Sequence, residues 1–217
     1  MQARILQVLE RMRSVELMIQ WPDVRRSFYS MEGDESDSKT KCFTVHAYGF
    51  RADDSSVSQQ YLRCADMAIW AQENDPSQPH PDGLFMPIAY LYRHSIELAL
   101  KSIIRTMHYA GRISELPELD KHKIIPLWSI VRPVLIDTWP NEARSLVNNT
   151  QALLEDLQKI DKSGQNLRYA HEKNGNKTSD KFPKVVRLEL LKQAMHEVHT
   201  FISSCESHYY DEWQSMN

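Results

Sequence analysis

The chain has 217 residues, of which 41% are hydrophobic and 25% charged, and a formal net charge of −3, a composition that supports a globular core and leaves the partner class open. Only 6 glycines speak against a sheet-rich fold with many tight turns, and the longest nearly uninterrupted apolar run, residues 84–92, contains Pro87 and is too short to span a bilayer. Three widely spaced cysteines, Cys42, Cys64 and Cys205, with no CxxC pair, exclude a disulfide scaffold or thiolate zinc site and point to a reducing, cytoplasmic setting.

Residues 3–20 are expected to form a helix whose Ile5, Val8, Met12, Val15 and Ile19 alternate spacings of three and four, a seam that packs on its own domain or across a dimer. This segment is amphipathic and charged, unlike a secretory signal. Trp21-Pro22 ends it, because a residue preceding proline is pushed out of the helical region. An acidic loop follows over 31–41 with Glu32, Asp34, Glu35 and Asp37. Residues 42–50 alternate Phe43, Val45, Ala47 and Gly49 as a strand would, but lack a partner strand, so they read as a small extended insertion. Asp54-Ser55-Ser56 is expected to cap a second helix running to about 73, with Tyr61, Leu62, Ala65, Ile69 and Trp70 inward.

The proline-rich segment NDPSQPHPDG stops that helix, and a central one spans about 85–110, closed by Gly111. Arg93, Glu97, Lys101 and Arg105 recur along it every fourth residue, with His94 and His108 alongside. Such a stripe is either a site or a ladder of i,i+4 ion pairs on a solvated face. HKIIPLWSIVRPVLIDTWP reads as a short helix with Pro126 in its first turn and a kink or break at Pro133. A fifth helix is expected over 141–160 with Leu146, Ala152 or Leu153, Leu157 and Ile160 inward, then a polar loop over 161–183. A last helix over about 184–212 carries Leu188, Leu191, Met195, Val198 and Ile202 on one face. The sum is an all-α, antiparallel bundle of about six helices, divided as N-terminal helices and insertion over 1–80 and a bundle core over 81–217, together one continuous domain.

Three segments in this order, YLYRHSIELALKSII, then HKIIPLW beginning at His122, then DKSGQNLRYAHEKNG beginning at Asp161, resemble bacterial members of the HEPN superfamily. Its members carry an RH-x-x-E-x-x-LK helix followed by an H-x-x-x-x-L segment and an aspartate-to-RY loop. The likeness covers about residues 85–200. It implies an antiparallel helical bundle, often dimeric, and in many members metal-independent RNA cleavage in toxin–antitoxin or phage-defence systems. RNA or a nucleotide, an antitoxin or other partner protein, and a second copy of the chain are the partners it suggests; no cofactor and no metal is implied. Active members place a histidine five to seven residues after an arginine. None of the 14 arginines here has that spacing, and Arg168 and His171 have only two residues between them.

Metal-free RNA cleavage needs a base for the 2′-hydroxyl, a cation for the phosphate and an acid for the leaving oxygen. Candidate catalytic residues are His171, Arg168 and Glu97, and Arg93, His94 and Lys101 are candidate substrate-binding residues. Residues 162–192 hold eight Lys or Arg against three acids, an excess that suits phosphate or a solvated loop. Alternatively Glu97 pairs with Arg168 and ties the loop to the bundle, leaving a catalytically silent interaction module. His196-Glu197-Val198-His199 lacks the i,i+4 histidines of a zinc-protease helix. Tyr209, Tyr210 and Trp213 suit either stacking on bases or packing on the bundle.

Overall fold

In the computed structural model, residues 53–74, 81–120, 122–141, 143–162, 164–172 and 174–216 are described. The helix expected over 3–20, the acidic loop and the extended insertion near 42–50 lie outside them. Five α-helices are present among the described residues: α1 (Asp54–Asn74), α2 (Phe85–Tyr109), α3 (Ile124–Thr138), α4 (Ala143–Ile160) and α5 (Leu188–Met216). There is no strand among them, only a single antiparallel bridge between His171 and Lys177, so the protein is all-α.

Local chemistry accounts for most helix ends. α1 starts one residue before the expected cap: the Asp53 carboxylate accepts the backbone N–H of Ser56 at 2.7 Å, satisfying one of the otherwise unpaired donors of the first turn. α2 closes as the sequence predicts. Gly111 adopts φ 69°, its N–H reaches the His108 carbonyl, and the Arg112 N–H reaches Met107, the paired closure that a left-handed residue allows. α3 contains Pro133 without a break. Proline removes one N–H donor, but Pro133 is exposed, so water can solvate the freed carbonyl.

The contacts fix the direction of the helices. Ion pairs and hydrogen bonds join Asp54 to Arg105, Ser58 to Ser95 and Asp66 to Tyr92, so α1 and α2 run antiparallel. Ser55 meets Glu206, Ser58 meets His199 and Asp66 meets His196, so α1 is also antiparallel to α5. It follows that α2 and α5 run parallel, as the pairs Ser102–Glu206 and Arg112–Glu212 require. α1 therefore belongs to the same helical unit as the segments after residue 81.

α2 is the axis of this unit. Ile88, Tyr92, Ile96, Leu100, Ile103, Ile104 and Met107 are all fully buried, on more than one face, because α1, α3 and α5 each cover a side of it. Elsewhere the expected inward residues Leu62, Ala65, Ile69, Leu157 and Ile160 are buried, and single positions beside them differ. Val147 and Leu154 are buried on α4, whereas Leu146 is exposed. On α1 the buried line is Ser58, Leu62, Ala65 and Ile69, and Trp70 faces outward. On α5 the line Leu191, Met195, Val198 and Ile202 continues through Cys205 and Tyr209, so the terminal tyrosine packs on the bundle. No helix among the described residues is long and apolar enough to cross a membrane.

A buried carboxylate and its half-exposed histidine

The polar stripe of α2 is not a solvated ladder. Arg93 is 2% exposed, Glu97 1% and Lys101 8%, and charges so far from water persist only when each is paired. Glu97 meets that condition. Its Oε2 accepts from Arg93 Nη1 at 3.2 Å, and its Oε1 accepts from Lys101 Nζ at 2.9 Å and His122 Nδ1 at 2.9 Å. Burial alone would raise its pKa. The hydrogen bonds from Lys101 and His122, with the charges of Lys101 and Arg93, outweigh burial and hold the carboxyl below its usual range.

The other nitrogens of Arg93 tie down the segment after α4. Nε donates to the Asp161 carbonyl at 3.3 Å and lies 3.5 Å from its carboxylate, and Nη2 donates to the His122 carbonyl. Asp161, itself buried, uses Oδ1 to accept the N–H groups of Gly164, Gln165 and Asn166. This turn brings Gly164, at φ 79°, against the guanidinium: a Cβ there would lie 3.1 Å from Arg93 Nη1 and 3.1 Å from the His122 Cβ. One guanidinium thus holds α2, the start of α3 and the turn after α4 together.

Two histidines flank the carboxylate. The His122 side chain is 55% exposed; because a carboxylate only accepts, Nδ1 carries the proton donated to Glu97, and in the neutral ring Nε2 is then a free basic nitrogen. His94 is more enclosed, stacked on Tyr90 at 5.6 Å and edge-on to Tyr61 at 4.5 Å, with Nδ1 4.0 Å from Glu97 Oε2. Burial lowers its pKa; the pull of Glu97 opposes this, and Lys101, Arg93 and His122 reinforce it.

The structure therefore gathers four of the six predicted site residues, Arg93, His94, Glu97 and Lys101, and leaves two apart. Arg168 and His171 are exposed, and neither forms an ion pair or hydrogen bond with Glu97. The expected Glu97–Arg168 pair is not made, because Arg93, Lys101 and His122 already occupy the carboxylate; the Arg168 guanidinium lies 5.6 Å from the Tyr169 ring centre instead. His122, Asp161 and Gly164 were not assigned roles from sequence, although His122 and Asp161 open two of the segments that carry the resemblance. Thr178 donates to the Tyr169 and Ala170 carbonyls, so part of the polar loop expected over 161–183 is closed by turn hydrogen bonds.

His196 and His199 of the last helix separate. His196 turns to Asp66 at 2.9 Å and His199 Nε2 to Ser58 at 2.8 Å, and no group of three His, Cys, Asp or Glu is poised to hold a metal ion among the described residues. The chain matches no protein-family model, no curated protein and no solved structure.

Proposed function

We propose that the chain is an HEPN-like RNA-acting protein, a metal-independent endoribonuclease of the toxin–antitoxin or phage-defence kind that works as a homodimer. The observation that carries this reading is the Glu97–His122 pair: a buried, ionised carboxylate orients a half-exposed imidazole through Nδ1 and leaves Nε2 outside that bond. That is the arrangement a general base requires, since the carboxylate fixes the tautomer and stabilises the imidazolium that forms. His122 Nε2 takes the proton of a ribose 2′-hydroxyl, and the 2′-oxygen attacks the adjacent phosphorus. The bond to the 5′-oxygen breaks with release of a 2′,3′-cyclic phosphate, and the leaving oxygen takes a proton from water. Lys101, on the same carboxylate, supplies positive charge for the phosphate, and the Tyr90–His94–Tyr61 group offers aromatic faces beside it.

Single-stranded RNA incubated with the protein in chelator should yield 2′,3′-cyclic phosphate ends, and His122→Ala should slow this about 10²–10⁴-fold. Because the His122 ring is half-exposed, the variant is expected to keep its helical circular dichroism. A second reading, a catalytically silent interaction module for a partner protein or nucleotide, is favoured by one observation: every nitrogen of the Arg93 guanidinium is engaged inside the fold. RNA left intact by the wild-type chain, with no salt-dependent binding, decides for that module.

A further inference from the structure

Beside His122 the surface opens into a groove of about 740 Å³. Lys123, Lys159, Lys162 and Lys181 line it, with Glu155 and Glu172 the only acids among the described residues. Lys181 is paired with Glu172, and Lys159 with Asp156 outside the groove. Lys123 and Lys162 form no ion pair among the described residues and are exposed, so their charges are available to an incoming anion. His122 does not itself line the groove but adjoins residues that do. Lys123 follows His122 in the chain, and Lys162 and Asn166 lie on the Asp161 turn whose Gly164 packs against His122. Arg93 holds both walls at fixed separation through Asp161 and the His122 carbonyl.

We infer that this groove binds the phosphate backbone of a single RNA strand and leads it to His122; this rests on the RNA-acting reading above. Lys123 and Lys162 contact phosphates, and Asn166 offers an uncharged hydrogen-bonding group between them. An open, lysine-lined groove suits a flexible single strand, whose backbone can follow it without base-specific contacts.

The test uses the full chain and a fluorescent oligouridylate of about 12 nucleotides, with binding followed by anisotropy over a range of salt. The groove variant Lys123→Glu/Lys162→Glu should lose about tenfold or more in affinity at low ionic strength, and its salt slope should flatten by about 1.4, near 0.7 for each phosphate of a single strand that is no longer neutralised. Lys184→Glu/Arg187→Glu, the same charge change at exposed positions outside the groove, should lose less than about threefold. Lys123→Gln/Lys162→Gln should flatten the slope equally without adding negative charge. Equal losses in the groove and control variants, an unchanged groove variant, or no binding by the wild-type chain would each overturn the inference. Displacement by inorganic tripolyphosphate at equal phosphate concentration would also overturn it, assigning the groove to a short polyphosphate. The two readings fail separately: a wild-type chain that binds the strand through the groove without cutting it removes the nuclease and keeps the groove, whereas cleavage unaffected by the groove variant does the reverse.

Discussion

Gly164 and Gly111 have similar backbones and different surroundings, which makes them a measure of how tightly the Arg93 cluster is built. Both sit at positive φ, 79° and 69°, where an alanine costs about 1 kcal/mol of conformational strain. Nothing lies within 4 Å of a Cβ at Gly111, whereas at Gly164 it meets Arg93 and His122 at 3.1 Å. The end of an arginine usually yields to such a contact; here three hydrogen-bonded nitrogens restrain it. Gly111→Ala is therefore expected to cost about 1 kcal/mol, and Gly164→Ala about 2–4 kcal/mol, strain plus overpacking, measured by urea unfolding. Equal losses at the two positions would mean that the guanidinium moves freely and that the cluster is not rigid. The spacing of Arg93, Glu97 and Lys101 was readable from sequence, but their burial was not. An i,i+4 ladder has the same pattern on a wet face and beneath a covering turn, and the cover here comes from Asp161, sixty-eight positions from Arg93.

At the scale of elements, the apolar period was strong enough to show all five described helices, with ends within a few residues. What it could not fix was the exact inward face where two lines of apolar residues compete. Leu146 and Val147 are neighbours on α4, and only the position of α3 and α5 selects Val147. Trp70 is apolar enough to suggest a core position, yet the α1 line that meets α2 and α5 runs through Ile69. Of the kink or break expected at Pro133, the break does not occur. An exposed proline late in a helix leaves one carbonyl, that of Ser129, without its i+4 donor, a loss that water repairs on that side. The missing bond still costs stability, so Pro133→Ala should stabilise the chain. The propensity difference of about 3 kcal/mol in a helix interior is reduced by the looser unfolded chain and by strain already relaxed, leaving about 1–2 kcal/mol. A rise in the thermal midpoint checks this; a fall would show that the proline ring packs where the structure leaves it exposed.

Across the whole molecule, the parallel run of α2 and α5 with α1 antiparallel to both places titratable groups inside the three-helix contact, and these set how stability depends on pH. His199, between Ser58 and Ser203, has its pKa lowered from 6.5 by burial and then by His196; that of His94 is lowered as well. Below pH 6.5 the unfolded chain binds protons that the native rings refuse, so both groups make stability fall as the solution is acidified, each with a limiting slope of about 1.4 kcal/mol per pH unit. Glu97, lowered from 4.5, adds to the loss at more acid pH: its contribution is complete above 4.5 and vanishes as pH falls through its native value. Glu206 acts in the opposite direction. Burial raises it above 4.5, against hydrogen bonds from Ser102, Ser55 and Thr106, so protonation comes earlier in the fold and restores some stability on the way down to 4.5. With two histidines against one carboxyl, the unfolding free energy should decline from pH 6.5 toward 4.5 and drop further below it. His199→Gln, which keeps a hydrogen-bonding group beside Ser58 but cannot titrate, should remove one proton's share of the upper limb and leave the acid limb in place. Urea unfolding at a series of pH values measures both limbs, and an upper limb unchanged in His199→Gln would show that this imidazole is not the buried neutral group its contacts with Ser58 and Ser203 require.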